Sequence, residues 1–154
     1  MIRIGVIGYG YWGPNLVRNF YETPGAQVAC VSDLRAERLK QVQGRYPTVG
    51  VTEDHRALID DPGVDAVAIA TPVSTHFDLA LRALQAGKHV FVEKPLAATS
   101  EQVQRLIDAA QKANRILMVH HTSGYRGAVR KVRELVDDGG LGELYSYDST
   151  RENL

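Results

Sequence analysis

The stretch that decides the fold is IRIGVIGYGYWGPNLVRNF, at residues 2–20. It begins with an apolar β-branched run, continues with the motif Gly8-x-Gly10-x-x-Gly13, and ends in helical periodicity. An acidic residue, Asp33, follows about twenty positions after the motif. A lone G-x-G-x-x-G is a weak signal. The order strand, glycine turn, helix and acidic residue, however, predicts a dinucleotide-binding fingerprint.

The composition is typical of a soluble globular domain. The chain has 154 residues, 44% of them hydrophobic, and its 18 basic and 18 acidic side chains cancel. A neutral chain lacks the basic surface of nucleic-acid or membrane-surface proteins, so we expect neither as a partner. Cys30 is the single cysteine, so no internal disulfide can form, and no apolar run approaches the ~18 residues that span a bilayer. Without a signal-type segment, these features predict a cytoplasmic protein.

Strand-like and helix-like segments alternate over the first 120 residues. Apolar β-branched runs occupy residues 2–7, 26–32, 66–70, 89–92 and 116–119, with a minor run at 49–51. Helical periodicity occupies residues 11–21, 36–43, 54–59, 75–86 and 100–113. Alternation of this kind predicts βαβ crossovers and one parallel sheet with helices on both faces. The predicted fold is therefore α/β, a doubly wound Rossmann domain.

The pattern changes after residue 120. A helix is predicted at residues 125–138, a glycine pair at 139–140 stops it, and residues 143–150 alternate as a strand. We therefore divide the chain into a nucleotide-binding core, residues 1–120, and a terminal helix and strand, residues 121–154. A strand at the end of a domain often leads into further structure. We expect this segment to lead toward a second domain that the chain lacks.

Each glycine of the fingerprint has a predicted role. Gly8 permits the tight turn, Gly10 lets the backbone approach a pyrophosphate, and Gly13 allows the helix to pack closely on the strand. The amides at the positive end of the following helix would hold the phosphates. Tyr11 and Trp12 lie in the same turn, so we include them among the expected coenzyme contacts. The alternative is a tight turn with no ligand.

Asp33 ends the second predicted strand, where a carboxylate can accept hydrogen bonds from both hydroxyls of an adenosine ribose. Its charge also repels a 2′-phosphate, so we predict NAD as the cofactor in preference to NADP. Arg35, two residues on, can partly accommodate a 2′-phosphate and keeps NADP as the alternative. Asp33 can also cap the next helix, a role compatible with ribose binding.

Two residues that follow the strand at 66–70 lie at the carboxyl edge of the predicted sheet, where open α/β sheets bind ligands. Thr71 can face the cofactor, while Pro72 shapes the loop. An ordinary turn is the alternative. His76 begins the next helix, and we include it among the expected cofactor-binding residues, in a structural or peripheral role and not a catalytic one.

Glu93, Lys94 and Pro95 follow the strand at 89–92 and reach the same edge. A lysine there can hydrogen-bond a substrate hydroxyl and stabilise a developing alkoxide, and the glutamate can tune it. Lys94 is therefore the predicted catalytic residue. A surface ion pair in a turn is the alternative. The Lys94–Pro95 bond is also a candidate cis peptide, because only X–Pro bonds have a modest cis cost.

These residues resemble a known family. GYGYWG at 8–13, TP at 71–72 and above all AGKHV at 86–90, leading to EKP at 93–95, are similar to the glucose–fructose oxidoreductase / inositol dehydrogenase (Gfo/Idh/MocA) family. The resemblance covers essentially the whole chain. GYWGPN at 10–15 and the ending DSTRENL at 148–154 are most similar to the branch that oxidises nucleotide-linked amino sugars.

The resemblance implies an NAD(P)-dependent oxidoreductase that transfers hydride to or from a sugar or polyol carbinol, with Glu93, Lys94 and Pro95 at the nicotinamide. It also implies a second α/β domain carrying the substrate pocket and an Asp/His pair for proton transfer. No residue here matches that histidine, so we expect the chain alone to be inactive. A stand-alone binding or interaction module is the alternative. We also expect self-association, because a missing domain would expose apolar surface.

His120 and His121 follow the last main strand, again at the binding edge. Adjacent histidines cannot easily face one metal, and no carboxylate or cysteine cluster accompanies them in the sequence, so we predict no metal site. In the resembling family this position lines the substrate side. Two interpretations stay open: one histidine touches substrate, or both anchor the loop.

Overall fold

The structure, a computed structural model, describes residues 1–150. Its first unit, Met1–His120, is built on one sheet of six strands, with β1 at Ile2–Ile7, β2 at Ala26–Ser32, β3 at Gly50–Thr52, β4 at Ala66–Ile69, β5 at His89–Val92 and β6 at Leu117–Val119. All pairings are parallel, and the strand order is β3-β2-β1-β4-β5-β6. This is the order of the doubly wound dinucleotide-binding fold, so the predicted fold class is confirmed.

Five helices connect these strands: α1 at Gly13–Glu22, α2 at Ala36–Arg45, α3 at His55–Asp60, α4 at Val73–Gln85 and α5 at Ser100–Ala113. Side-chain capping determines where two of these helices begin. The Asp54 side chain accepts a hydrogen bond from the Arg56 amide (2.8 Å) at α3, and the Thr99 hydroxyl accepts from the Gln102 amide (3.3 Å) at α5. The predicted boundaries are correct to within about two residues for every helix of this unit.

The sheet separates two hydrophobic cores. On one face β-strand side chains pack with α3, α4 and α5, around Ile59, Leu84 and Leu106, which are fully buried. On the other face they pack with α1 and α2, around Val17 and Val42. Successive residues of a strand point to opposite faces, so both faces of the central strands are apolar. The prediction of helices on both faces is confirmed.

The second unit begins at His121. A single 3-10 turn at Thr122–Tyr125 precedes α6 at Gly127–Asp137, and Gly139, with φ of 68°, follows the helix as the predicted stop. The strand predicted at residues 143–150 is wrong, because no regular strand forms there. A strand needs a neighbour for its backbone hydrogen bonds, and this unit contains no other strand among its described residues.

Two further observations concern the described residues as a whole. The end of the DSTRENL stretch, residues 151–154, lies outside them. Across residues 1–150, no helix combines the length and the hydropathy needed to cross a membrane.

Candidate dinucleotide-binding site

The strand order creates a crevice between β1 and β4. The helix after β1 lies on one face of the sheet and the helix after β4 on the other, so the two connections diverge at the carboxyl ends of these strands. A cleft of about 610 Å³ opens at this edge. Its lining includes five residues that the sequence predicted as cofactor contacts: Gly8, Gly10, Asp33, Thr71 and Pro72.

At two positions of the turn after β1, only glycine fits. Gly8 adopts a φ of +95°, and a Cβ there would lie 2.7 Å from the Ala70 carbonyl oxygen. A Cβ on Gly13 would overlap the Gly8 carbonyl oxygen. Gly10 is less constrained, since its nearest neighbour would be the flexible end of Arg38 at 3.1 Å. The backbone geometry therefore accounts for the first and third glycines of the motif.

The start of α1 presents unpaired backbone donors. Within residues 1–150, the amides of Gly10, Tyr11, Trp12 and Gly13 donate to no protein acceptor, and no side chain caps the helix. Pro14 occupies the first turn, where a missing N–H has no cost. The free amides lie at the positive end of the helix dipole, an arrangement that suits a pyrophosphate. The residues present therefore fit a dinucleotide.

Asp33 ties the end of β2 to the glycine turn. Its Oδ2 accepts from the Tyr9 amide at 2.7 Å, and its Oδ1 accepts from the Arg35 amide at 3.0 Å. The Asp33 side chain is buried, and the Arg35 guanidinium beside it, with Nε 3.5 Å from Oδ1, is half exposed. Each carboxylate oxygen retains acceptor capacity, so ribose hydroxyls can still donate to Asp33.

Arg38 is a residue of this site that the sequence analysis missed. It lies in the first turn of α2, and its Nη1 donates to the Tyr9 carbonyl oxygen at 2.6 Å. The glycine turn is thus held at Tyr9 from two directions, by Asp33 at the amide and by Arg38 at the carbonyl. The spacing of five residues after Asp33, which places Arg38 on the adjoining helix, was the only signal in the sequence.

The loop after β4 is ordered by threonine hydroxyls. The Thr75 hydroxyl lies 2.7 Å from the Thr71 hydroxyl and donates at 2.8 Å to the Pro72 carbonyl oxygen. This turn opens α4 and brings Thr71 and Pro72 to the wall of the cleft.

His76 lies beneath the cleft wall, with 2% of its surface exposed. Its Nε2 is 2.8 Å from the Thr71 carbonyl oxygen and its Nδ1 is 2.9 Å from the Pro95 carbonyl oxygen. The ring joins the loop after β4 to the loop after β5. A neutral imidazole has a single N–H, so it donates to one of these carbonyls at a time. These contacts are structural, and the expected cofactor contact of His76 stays a prediction.

The segment after β5 contains an exposed lysine between two anchored neighbours. Lys94 is exposed and forms no hydrogen bond or ion pair within the described residues, so the alternative of a surface ion pair finds no support. The Lys94–Pro95 peptide is cis, as predicted. Glu93 is buried, and its Oε1 lies 2.5 Å from Nδ1 of His120. The carboxylate therefore pairs with a histidine and not with Lys94.

His120 is held among aromatic rings at the end of β6. Its ring centroid lies 5.1 Å from that of Phe91 and 6.3 Å from that of Trp12, and its amide donates to Val92. The sequence analysis overlooked the pairing with Glu93, because 27 residues separate the two. Neighbouring parallel strands bring them together. Within residues 1–150, no group of three or more potential metal ligands forms.

Comparisons with known proteins place this site in a family. The family described as "oxidoreductase family, NAD-binding Rossmann fold" matches residues 2–121. The chain belongs to the Gfo/Idh/MocA oxidoreductase family. Its relatives include myo-inositol 2-dehydrogenase of Thermotoga maritima, 34% identical over 92% of this chain, and the NAD(+)-dependent scyllo-inositol 2-dehydrogenase of Bacillus subtilis, 32% identical over 98%. Among solved structures, an NAD-binding protein from Listeria innocua is 32% identical, with a TM-score of 0.82 over 92% of this chain.

The alignments cover most of this chain but less than half of each relative. The aligned region covers 42% of the Thermotoga maritima enzyme, 45% of the Bacillus subtilis enzyme and 42% of the Listeria innocua structure. The chain thus spans less than half the length of these relatives. The family match supports an NAD(P)-binding domain. It does not choose between the coenzymes, since another Bacillus subtilis relative, 28% identical, is named for NADP(+).

Proposed function

We propose that this chain is the coenzyme-binding part of an oxidoreductase that uses NAD and transfers hydride to or from a carbinol carbon of a polyol. The observation that carries the proposal is one cleft lined both by Gly10, where the run of unpaired amides at residues 10–13 begins, and by Asp33 with its carboxylate. The first group suits a pyrophosphate and the second a ribose, and together they match the two recognition elements of a dinucleotide.

When NAD is bound, it supplies the hydride chemistry, and the protein supplies binding and orientation. In this proposal the amides that begin α1 hold the pyrophosphate, and Asp33 accepts hydrogen bonds from the adenosine ribose. Thr71 and Pro72 form the cleft wall, and Tyr11 and Trp12 cover the turn. Lys94 extends from the sheet edge with a free ammonium group, which can donate a hydrogen bond to a substrate oxygen and stabilise negative charge there.

The preference for NAD over NADP is part of the proposal and rests on Asp33. The carboxylate is fixed by two backbone amides, so it cannot easily turn away from a 2′-phosphate. Arg35 is the group that would favour NADP, but its guanidinium is half exposed and already beside Asp33. Repulsion from the fixed carboxylate supports NAD as the preferred coenzyme.

A polyol such as an inositol is the substrate class that the names of the relatives support. Nucleotide-linked amino sugars are the finer candidate, supported by the GYWGPN stretch at residues 10–15. The substrate pocket and the residues for proton transfer are expected outside this chain, in the part of the relatives that it does not match. Self-association of the chain stays a prediction.

The test is a titration of the chain with NADH and NADPH, followed by the fluorescence of Trp12, its only tryptophan. We expect saturable binding of NADH and weaker binding of NADPH. Asp33→Asn, which removes the charge and keeps the shape, should improve NADPH binding relative to NADH about tenfold. Asp60→Asn, at an exposed ion pair with Arg82, serves as the control. No saturable binding of either coenzyme would overturn the proposal.

The role of Lys94 is tested separately. Lys94→Ala should leave NADH affinity unchanged, because its ammonium group is assigned to the substrate. A large loss of NADH affinity would make Lys94 a coenzyme ligand instead. Assays with inositols and with UDP-N-acetylhexosamines should give negligible turnover by this chain alone, and robust turnover would contradict the expectation that a second domain is needed.

A further inference from the structure

The edge strand β6 is held at its start by a histidine side chain. The backbone amide of Ile116, the residue before β6, donates a hydrogen bond to Nδ1 of His89 at 3.0 Å. His89 is the first residue of β5 and is partly buried. At the point where β5 and β6 come together, a ring nitrogen therefore accepts the amide that a backbone carbonyl accepts in a regular ladder.

This contact determines which protonation state of the ring fits the fold. A backbone N–H can only donate, so Nδ1 of His89 accepts through its lone pair, and the neutral ring carries its single proton on Nε2. A protonated imidazole has an N–H group on both nitrogens and no acceptor. Protonation would therefore place one N–H against the N–H of Ile116, so the hydrogen bond and the charged ring exclude each other.

Only a few contacts hold this end of β6. The strand is three residues long, and β5 is its only neighbour among the described strands. Next to the His89 contact, the Ile116 carbonyl oxygen accepts from the Val90 amide at 2.8 Å, and the Arg115 side chain donates to the Gly87 carbonyl oxygen. An edge strand lacks a ladder on one side, and segments with few hydrogen bonds open most readily. The loss of one contact therefore has more effect here than in the central strands.

We propose that His89 is a pH-sensitive latch on β6: the neutral ring holds the start of the strand, and protonation of the ring releases it. Histidine suits this role because it is the side chain whose charge ordinarily changes between about pH 5 and 8. β6 is the last strand of the first unit, and the second unit begins at His121. The latch thus acts on the segment that leads out of the sheet, and it does not depend on coenzyme binding.

The charged and titratable side chains on the surrounding elements do not replace this contact. Within the described residues, none of them forms a hydrogen bond with the His89 ring. They are Lys88 before β5, Asp65 before β4, Arg115 before β6, the exposed Arg18 and Glu22 on α1, and His120 after β6. His120 also titrates, but its partner is Glu93, so the experiment has to separate the two histidines.

The experiment is an NMR titration of the 15N-labelled chain from about pH 8 to about pH 5. The scalar coupling across the hydrogen bond, between the Ile116 amide nitrogen and Nδ1 of His89, reports the latch directly. We expect this coupling at the upper pH and its loss at the lower. After correction for the intrinsic pH dependence of exchange, the Ile116 amide should exchange about fivefold faster at the lower pH. The amides of β1, a central strand, should keep their protection.

Two variants at position 89 separate the latch from His120. His89→Asn offers a carbonyl oxygen near the position of Nδ1, which accepts from the Ile116 amide and does not titrate. In this variant the amide should stay protected at both pH values. His89→Leu has no acceptor, so the amide should exchange rapidly at both. His55→Asn, on α3, is the matched control and should titrate at Ile116 like the wild type.

The inference is overturned if the coupling in the wild type persists at the lower pH. An acid-induced change at Ile116 that is equally large in His89→Asn would also overturn it, because the change would then arise from another group. Equal loss of protection in β1 and β6 would mean general acid unfolding and no latch. If His89→Leu does not fold, the comparison of His89→Asn with the wild type decides the question.

Discussion

The two halves of the binding edge are organised by different kinds of contact. The adenosine side is defined here as residues 8–13 with Asp33 and Arg38. It is shaped by the backbone of one short turn and by the two side chains that hydrogen-bond to the backbone of Tyr9. The nicotinamide side, which we define as residues 93–95 with His76 and His120, is joined by histidines from separate elements. Backbone geometry thus governs the first side, and long-range side-chain pairing governs the second.

The largest effect is expected from breaking the backbone of the adenosine side. Gly13→Ala places a Cβ against the Gly8 carbonyl oxygen, which cannot move without displacing the turn. We expect a loss of about 2–3 kcal/mol in the free energy of unfolding, measured by urea denaturation. The same variant should lose NADH binding, because displacement of the turn would move the amides that hold the pyrophosphate.

A second glycine provides the matched control for this substitution. Gly44 lies in α2, and a Cβ there would meet no atom within 4 Å. Gly44→Ala should therefore raise the free energy of unfolding by about 0.5–1 kcal/mol, since it lowers the entropy cost of forming the helix. If Gly13→Ala were as stable as Gly44→Ala, the close contact at the glycine turn would be refuted.

The adenosine side was largely predictable for the same reason. Gly8, Gly13 and Asp33 belong to a motif whose spacing is fixed by one strand, one turn and one helix, so local sequence contains the information. The cis peptide at Lys94–Pro95 was likewise foreseen from the residue pair alone. Arg38 was missed because its contact with Tyr9 depends on how α2 packs beside the turn.

The nicotinamide side was predictable only as a location. Glu93 was placed at the correct edge, but its partner was not identified, because His120 is a neighbour through the pairing of β5 and β6 and not through the sequence. The predicted strand at residues 143–150 failed for a related reason. Alternating hydrophobicity is a local property, whereas a strand exists only with a partner that supplies hydrogen bonds.

The next largest effect is expected from a variant that distinguishes the two sides by their ligand affinities. His76→Leu removes the ring between the Thr71 and Pro95 carbonyls and leaves one of these partly buried acceptors without its donor. We expect a loss of about 1–3 kcal/mol in the free energy of unfolding. NADH affinity should fall, whereas the affinity for AMP, a ligand of the adenosine side alone, should stay near that of the wild type. An equal loss for both ligands would mean that the two sides are not independent.

A smaller loss of stability is expected from Arg38→Ala, together with the opposite pattern of ligand affinities. The variant removes the hydrogen bond to the Tyr9 carbonyl and should cost about 1 kcal/mol of stability, because the guanidinium is only partly buried. Here the AMP affinity should fall. Lys40→Ala, an exposed position on the same helix, should change stability by no more than about 0.5 kcal/mol. Unchanged AMP affinity in Arg38→Ala would remove Arg38 from the adenosine side.

The smallest effect concerns β2, the strand that leads to Asp33. Burial raises the pKa of the Cys30 thiol, and the negative charge of Asp61 raises it further. Because the folded pKa lies above the unfolded one, this group's contribution to stability is complete below the unfolded pKa. That contribution is lost as the pH rises through the folded pKa.

The Cys30 thiol should therefore react slowly with iodoacetamide at neutral pH and rapidly once urea unfolds the chain. Cys30→Ala should weaken the loss of stability at alkaline pH without abolishing it, since burial also raises the pKa of the Tyr9 hydroxyl. Rapid labelling of the folded chain at neutral pH would contradict this assignment and would mean that β2 opens readily beside the coenzyme cleft.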